Sequence, residues 1–193
     1  LATFASAAAL LLGAPSVAHA SIIYDEARQG DLSGDRFNPT PLSLSLGSNE
    51  LIGIIEGEDA MGNLDRDYFS ITIPAGMQLR SINQLLYLSA DFGAFAGIQP
   101  GSFFPDDPDS VRPGDLLGWT LFGPQDVGND ILPLLGSNGQ RFSPPLPAGT
   151  YTFWVQQIGP FTEYTWDFVV EVPAPGSAAF AMAFGLAALR RRR

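Results

Sequence analysis

Glu56, Glu58, Asp59, Asn63, Asp65 and Asp67 put six oxygen-bearing side chains into twelve residues. Calcium takes roughly six to eight oxygen ligands, so this stretch is the first place to look for metal chemistry. Its carboxylates, Glu56, Glu58, Asp59, Asp65 and Asp67, are the candidate ligands. The turn from Asp31 to Asp35 and the Asp106-Asp107-Asp109 loop offer the same donors. None has the spacing of an EF-hand loop. The competing reading is a solvated acidic turn, in which Asp67 bonds nearby backbone N–H groups and fixes the start of a strand.

The remaining repertoire is narrow. Cysteine and lysine are absent, and the only histidine is His19. His19 lies in an N-terminal segment read below as removable, which leaves the domain without His, Cys or Lys. That excludes Ser-His-Asp and Cys-His nucleophiles, Schiff-base chemistry and ordinary zinc sites. A carboxylate pair could in principle hydrolyse glycosides. With 20 acidic residues in the chain, a pair by itself carries no weight, and a non-enzymatic protein is expected. Trp119, Trp154 and Trp166 could stack on sugar faces if exposed. Trp154 shares its strand face with Thr152 and Gln156, the more polar face, and is the candidate glycan contact. Trp166 falls in line with Phe168 and Val170, as a core residue does.

The elements that must hold these residues read as all-β. Leu42, Leu44 and Leu46 alternate with serines, and Leu51 to Ile55 is a compact apolar run. Phe69, Ile71 and Ile73 alternate with Ser70 and Thr72, and Pro74-Ala75-Gly76 is a turn that closes the strand. Leu79–Ser89, Ala94–Gln99 and Leu116–Phe122 continue the pattern. Tyr151, Phe153 and Val155 share one face of the next strand, and Tyr164, Trp166, Phe168 and Val170 share one face of the last. Eight or nine short strands between Gly, Pro, Asn and Asp turns predict a single β-sandwich or jelly roll. No segment between the two ends has a helical period. The long loops Gln99–Gly114 and Gly123–Pro147 are expected to be binding or disordered segments.

Both ends are addresses rather than domain. Phe4 to Leu12 is apolar, and Ala18-His19-Ala20 is a small-x-small triplet that predicts cleavage before Ser21. At the other end, Val172-Pro173-Ala174-Pro175-Gly176 breaks the last strand, Ser177–Leu189 carries no charge, and Arg190, Arg191, Arg192 and Arg193 follow. Those 13 uncharged residues are short of the roughly 20 a stable span needs. The basic stop would hold them on the cytoplasmic side, as a transient membrane anchor. The organisation is therefore 1–20 signal peptide, 21–171 β-domain and 172–193 sorting tail. All 20 acidic residues fall between Asp25 and Glu171, against six arginines there, so the domain is near −14. Such a surface repels nucleic acid and anionic lipid and attracts calcium. The domain has no disulfide to staple it, yet its length suffices for a core.

The tail resembles the PEP-CTERM sorting signal of bacterial envelope proteins, through its Pro-rich motif, apolar run and terminal arginines; Ala174 stands where the commonest form has Glu. The resemblance implies an exosortase-like processing enzyme as partner. Within the domain, Asp67-Tyr68-Phe69-Ser70-Ile71-Thr72-Ile73-Pro74-Ala75-Gly76 and Leu146-Pro147-Ala148-Gly149-Thr150-Tyr151 resemble the bacterial pre-peptidase C-terminal (PPC) domain, a small β-sandwich without catalytic residues. Together they imply an exported, non-enzymatic protein of the cell envelope or extracellular matrix, with exopolysaccharide as a neighbour; the acidic charge balance excludes nucleic acid as a partner. No cofactor is required by this reading; a calcium- or carbohydrate-binding accessory module is the alternative.

Overall fold

The computed structural model describes residues 20–139, 141–159 and 161–174. The apolar N-terminal run with Ala18, and the tail from Pro175 with Gly176 and Arg190–Arg193, lie outside the described residues. Among the described residues no helix is long and apolar enough to cross a membrane.

β1 (Ser21–Asp25) runs straight into a short α1 (Glu26–Gln29), followed by β2 (Thr40–Ser43), β3 (Gly47–Ile55) and a long β4 (Arg66–Ser89). β5 (Ala94–Pro100), β6 (Gly118–Phe122), α2 (Leu132–Gly139), β7 (Leu146–Gln156) and β8 (Thr162–Glu171) complete the chain. The class is all-β, as the alternation predicts. The strands form one continuous hydrogen-bonded sheet in the order β1-β3-β8-β4-β7-β5-β6, with β2 on β4.

Continuity rests on β4, where the sequence predicts two strands separated by a turn. Pro74-Ala75-Gly76 does not end the strand. The register against β7 slips between Ile73 and Gln78, and Gly76 takes φ 77°, a conformation only glycine adopts freely. This bulge lets the first half of β4 pair with β7 and the second half with β8. β7 and β8 share no ladder among the described residues, yet Phe153 of β7 lies 5.8 Å from Phe168 of β8 and stacks on Phe69 at 5.1 Å. The two flanks therefore face each other across an aromatic core.

The inward positions are as expected for Phe69, Ile71, Ile73, Phe153, Val155, Tyr164, Trp166, Phe168 and Val170, all buried. Leu42 and Leu44 are buried, whereas Leu46 is exposed. Two departures come from the long loops. Gln99–Gly114 folds back over the outer face of the sheet and drives a fully buried Phe104 against Tyr68 and Trp154, with ring centroids 6.0 and 5.7 Å apart. Gly123–Pro147 contains α2, a helix the sequence reading omits. Leu132 and Leu135, with Ile131 just before the helix, are buried, Pro133 sits in the first turn where it is tolerated, and the Asp130 carboxylate accepts from the Leu132 N–H at 3.0 Å. α1 is likewise absent from the reading.

Candidate cation site

The site begins at the β1–α1 junction. Asp25 caps α1 by accepting from the Ala27 N–H at 3.1 Å, and this turns Glu26 inward, where it is 6 % exposed. One Glu26 oxygen accepts from the Leu32 N–H at 2.5 Å, and the other accepts from the Ile54 N–H of β3. Gly30, at φ 94°, reverses the chain between them, and its carbonyl accepts from the Tyr24 hydroxyl at 2.9 Å. Asp31 follows directly and is exposed.

Asp67 enters from β4. It is fully buried, and one carboxylate oxygen accepts from the buried Tyr164 hydroxyl at 3.1 Å. That contact depends on Gly53, which pairs with Tyr164 across β3 and β8; a Cβ at 53 would fall 2.2 Å from the Tyr164 ring. The other oxygen, Oδ1, has no hydrogen-bond partner. A carboxylate oxygen of each of Glu26, Asp31 and Asp67 lies within 4.8 Å of the others. The spacing fits a metal: two oxygens on opposite sides of a calcium ion, each at about 2.3–2.6 Å, are about 4.6–5.2 Å apart.

Glu26 and Asp31 open into a cleft of about 540 Å³ whose lining includes Glu56, Glu58, Asp59 and Asp65 and no basic residue. Burial raises the Glu26 carboxyl from its ordinary 4.5 to about 7; the Asp31 charge adds to this, and the two backbone N–H groups oppose it. Burial also pushes Asp67 well above the usual carboxylate range, helped by the charges of Glu26 and Asp65. Asp65 is raised by its own burial and by Asp31 and Glu56. Among the described residues no basic side chain lines this cleft, and five of the domain's six arginines are engaged elsewhere. Arg28 pairs with Asp25, Arg66 with Asp109, Arg80 with Glu171 and Arg141 with Asp115, while Arg36 donates to the carbonyls of Phe104 and Pro105.

The sequence-based ligand set is therefore redistributed. Asp67 is a member, but its bond to Tyr164 replaces the expected bonds to backbone N–H groups. Glu56, Glu58 and Asp65 form the cleft wall, with Asp65 accepting from the Glu56 N–H at 2.7 Å. Asp59 is engaged in its own turn, accepting from the N–H groups of Met61 at 2.7 Å and Asn63 at 2.9 Å. Asp31 belongs to a turn already singled out, whereas Glu26 was missed. The Asp106-Asp107-Asp109 loop is structural: Gln99 donates to Asp106, Ser110 to Asp107 and Arg66 to Asp109.

Trp154 is not a surface platform. It is 4 % exposed, packed 4.7 Å from Phe95 and under Phe104, so the expected glycan contact is withdrawn. At the ends, Ser21 opens β1 behind an exposed Ala20, and Val172, Pro173 and Ala174 leave β8 exposed. Compared with known proteins, the sequence matches no family model and no curated protein.

Proposed function

We propose that this chain is a non-enzymatic, divalent-cation-binding β-module of the cell surface, with calcium as the first choice of ion. The observation that carries the reading is Asp67, a fully buried carboxylate with an unpartnered oxygen beside Glu26 and Asp31. A buried charge without a counter-charge is costly by several kcal/mol, so this cluster must hold a proton or a cation. Oxygen-only donors suit calcium better than zinc or copper. Three carboxylates supply part of the shell, and the open cleft admits water for the rest. A hydrolytic carboxylate pair fits less well, because both Glu26 oxygens accept backbone N–H groups and Asp67 is fully buried. The test is a melting scan of the full chain in calcium and in EDTA. A rise of about 5–10 °C near 100 Kd of calcium is expected. No shift would remove the reading.

The address remains as the two ends imply: export by a signal peptide cut between Ala20 and Ser21, and a PEP-CTERM-like tail processed by an exosortase-like enzyme. A PPC-like β-sandwich is the architecture we assign to the domain, supported by two flanks that face each other through Phe69, Phe153, Trp166 and Phe168. Intact mass with C-terminal peptide mapping of protein from the native envelope tests the tail. A chain ending between Val172 and Gly176 is expected; one ending at Arg193 would mean a retained anchor.

A further inference from the structure

The cleft opens at one pole of the domain, and the same pole presents bare apolar side chains. Residues 56–65 wall the cleft, and Met61 at their tip is 84 % exposed. A Cβ on Gly57 would fall 1.9 Å from the Gly159 carbonyl oxygen, so the loop after β7 lies directly against this wall. Gly159 in turn abuts the Asp91 carboxylate, and the Gln157 amide donates to Asp91 at 3.4 Å and to the Gly93 carbonyl. Three loops thus touch at this pole. Phe92 and Ile158, at 83 % and 64 % exposed, project from two of them, with Leu88 and Phe161 exposed beside them. Single exposed apolar residues need no explanation, but several on contacting loops beside a charged cleft do.

We propose that this pole docks on an anionic lipid surface through a divalent cation held at Glu26, Asp31 and Asp67, with Phe92 and Ile158 entering the acyl boundary. The proposal rests on the cation reading above. Without a cation, Glu56, Glu58, Asp59 and Asp91 repel phosphate. A cation whose shell three carboxylates fill only in part leaves positions for phosphate oxygens at the open side of the cleft. Apolar side chains of interfacial segments bury about 5–10 Å into the headgroup/acyl boundary, so tips beside an acidic cleft can enter the hydrocarbon while the cleft faces the headgroups. A soluble anion would use the cleft and leave the tips without a role.

The absence of cysteine allows a direct test. Phe92→Cys in the full chain, labelled with an environment-sensitive dye, reports the pole separately from the apolar ends. Leu46→Cys, exposed just before β3 at the opposite pole, is the control. With phosphatidylglycerol-containing vesicles, calcium should shift the dye at position 92 to the blue, and EDTA should reverse it. Phosphatidylcholine vesicles should give no shift, nor should the dye at position 46 respond to calcium. Ile158→Ser should weaken the calcium-dependent binding about tenfold. A dye at 92 that ignores vesicles, while calcium still raises the melting temperature, overturns the docking and spares the cation site. Loss of both responses overturns both. A calcium-driven shift that needs no vesicles and grows with protein concentration assigns the pole to a second copy and overturns the lipid proposal.

Discussion

Asp67→Asn should stabilise the metal-free protein and remove most of the stabilisation that calcium gives the wild type. In EDTA at pH 7.5 the folded domain must either bury the Asp67 charge, with Tyr164 as its one hydrogen-bond partner, or keep it protonated far above its ordinary 3.8. Protonation at pH 7.5 of a group that ionises near 4 when unfolded costs about 1.4 kcal/mol per pH unit. Holding the charge in place costs several kcal/mol, and the folded state takes the cheaper course. Asn keeps the shape and removes the cost, at the expense of one amide that must find an acceptor, with the Glu26 carboxylate close by. A net gain of about 1–3 kcal/mol follows, or about 3–10 °C in melting temperature. In calcium the wild type gains about 2.7 kcal/mol at 100 Kd, and the variant, lacking an anionic ligand, gains little. The sign has a pH signature. Because the Asp67 pKa is raised on folding, the folded state binds the extra proton and wild-type stability falls as pH rises above the unfolded value. The advantage of Asn should therefore be small at pH 5 and largest at pH 7.5. Differential scanning calorimetry of both proteins, with EDTA or calcium at the two pH values, gives all the numbers. A variant that melts lower than wild type in EDTA at pH 7.5, or that keeps the full calcium shift, would refute the reasoning.

The wild type carries the same linkage through Glu26, whose carboxyl moves from 4.5 to about 7 on folding. Metal-free melting temperature should fall between pH 5 and pH 7.5, and the calcium-induced rise should be large at pH 7.5 and fade at pH 5 as protons compete, which a pH series of thermal scans would measure. Gly53→Ala should cost about 1–3 kcal/mol in urea unfolding and reduce the calcium shift, because its Cβ displaces the Tyr164 ring that holds Asp67. Trp154→Ala should cost about 3–5 kcal/mol in the same assay and leave retention on extracted exopolysaccharide unchanged at a temperature where the variant is folded.

Much of the fold was legible because alternation survives wherever one strand face meets the core. The aromatic run from Tyr164 to Val170 and the Phe69-Ile71-Ile73 set needed only period two. The same rule misplaced Trp154, since it treats the opposite face as solvent. Here residues 101–117 cover that face, and Phe104 inserts between Tyr68 and Trp154, so both faces of β7 are dry from Tyr151 to Val155. Loop coverage is a long-range event with no local period. α2 was hidden for another reason: its buried residues are only Leu132 and Leu135, with Ile131 just before it, set among Gly, Pro and Asn that read as turn.

The site divides along the same line. Extended one step back from Phe69, period two puts Asp67 on the inward face, although the sequence reading left it in an acidic turn at the strand entry; the same period puts Tyr164 inside with Trp166. An ionisable group on an inward face requires a partner, and a buried tyrosine hydroxyl is one of the few available in a domain without lysine or histidine. The Asp67–Tyr164 bond was therefore within reach of the pattern; what the pattern could not show was that the second Asp67 oxygen is left unpartnered. Glu26 was out of reach altogether. It belongs to a four-residue helix after an edge strand, and its inward turn depends on backbone N–H groups of Leu32 and Ile54, the latter 28 residues away. Those two donors position Glu26 without cancelling its charge, since its pKa still rises. Burial raises Glu26 and Asp67 alike, so the direction of their shifts marks desolvation and not a ligand. The reason to look for a cation at this end of the domain is geometric: a buried Asp67 oxygen without a partner, with carboxylate oxygens of Glu26, Asp31 and Asp67 within 4.8 Å of one another.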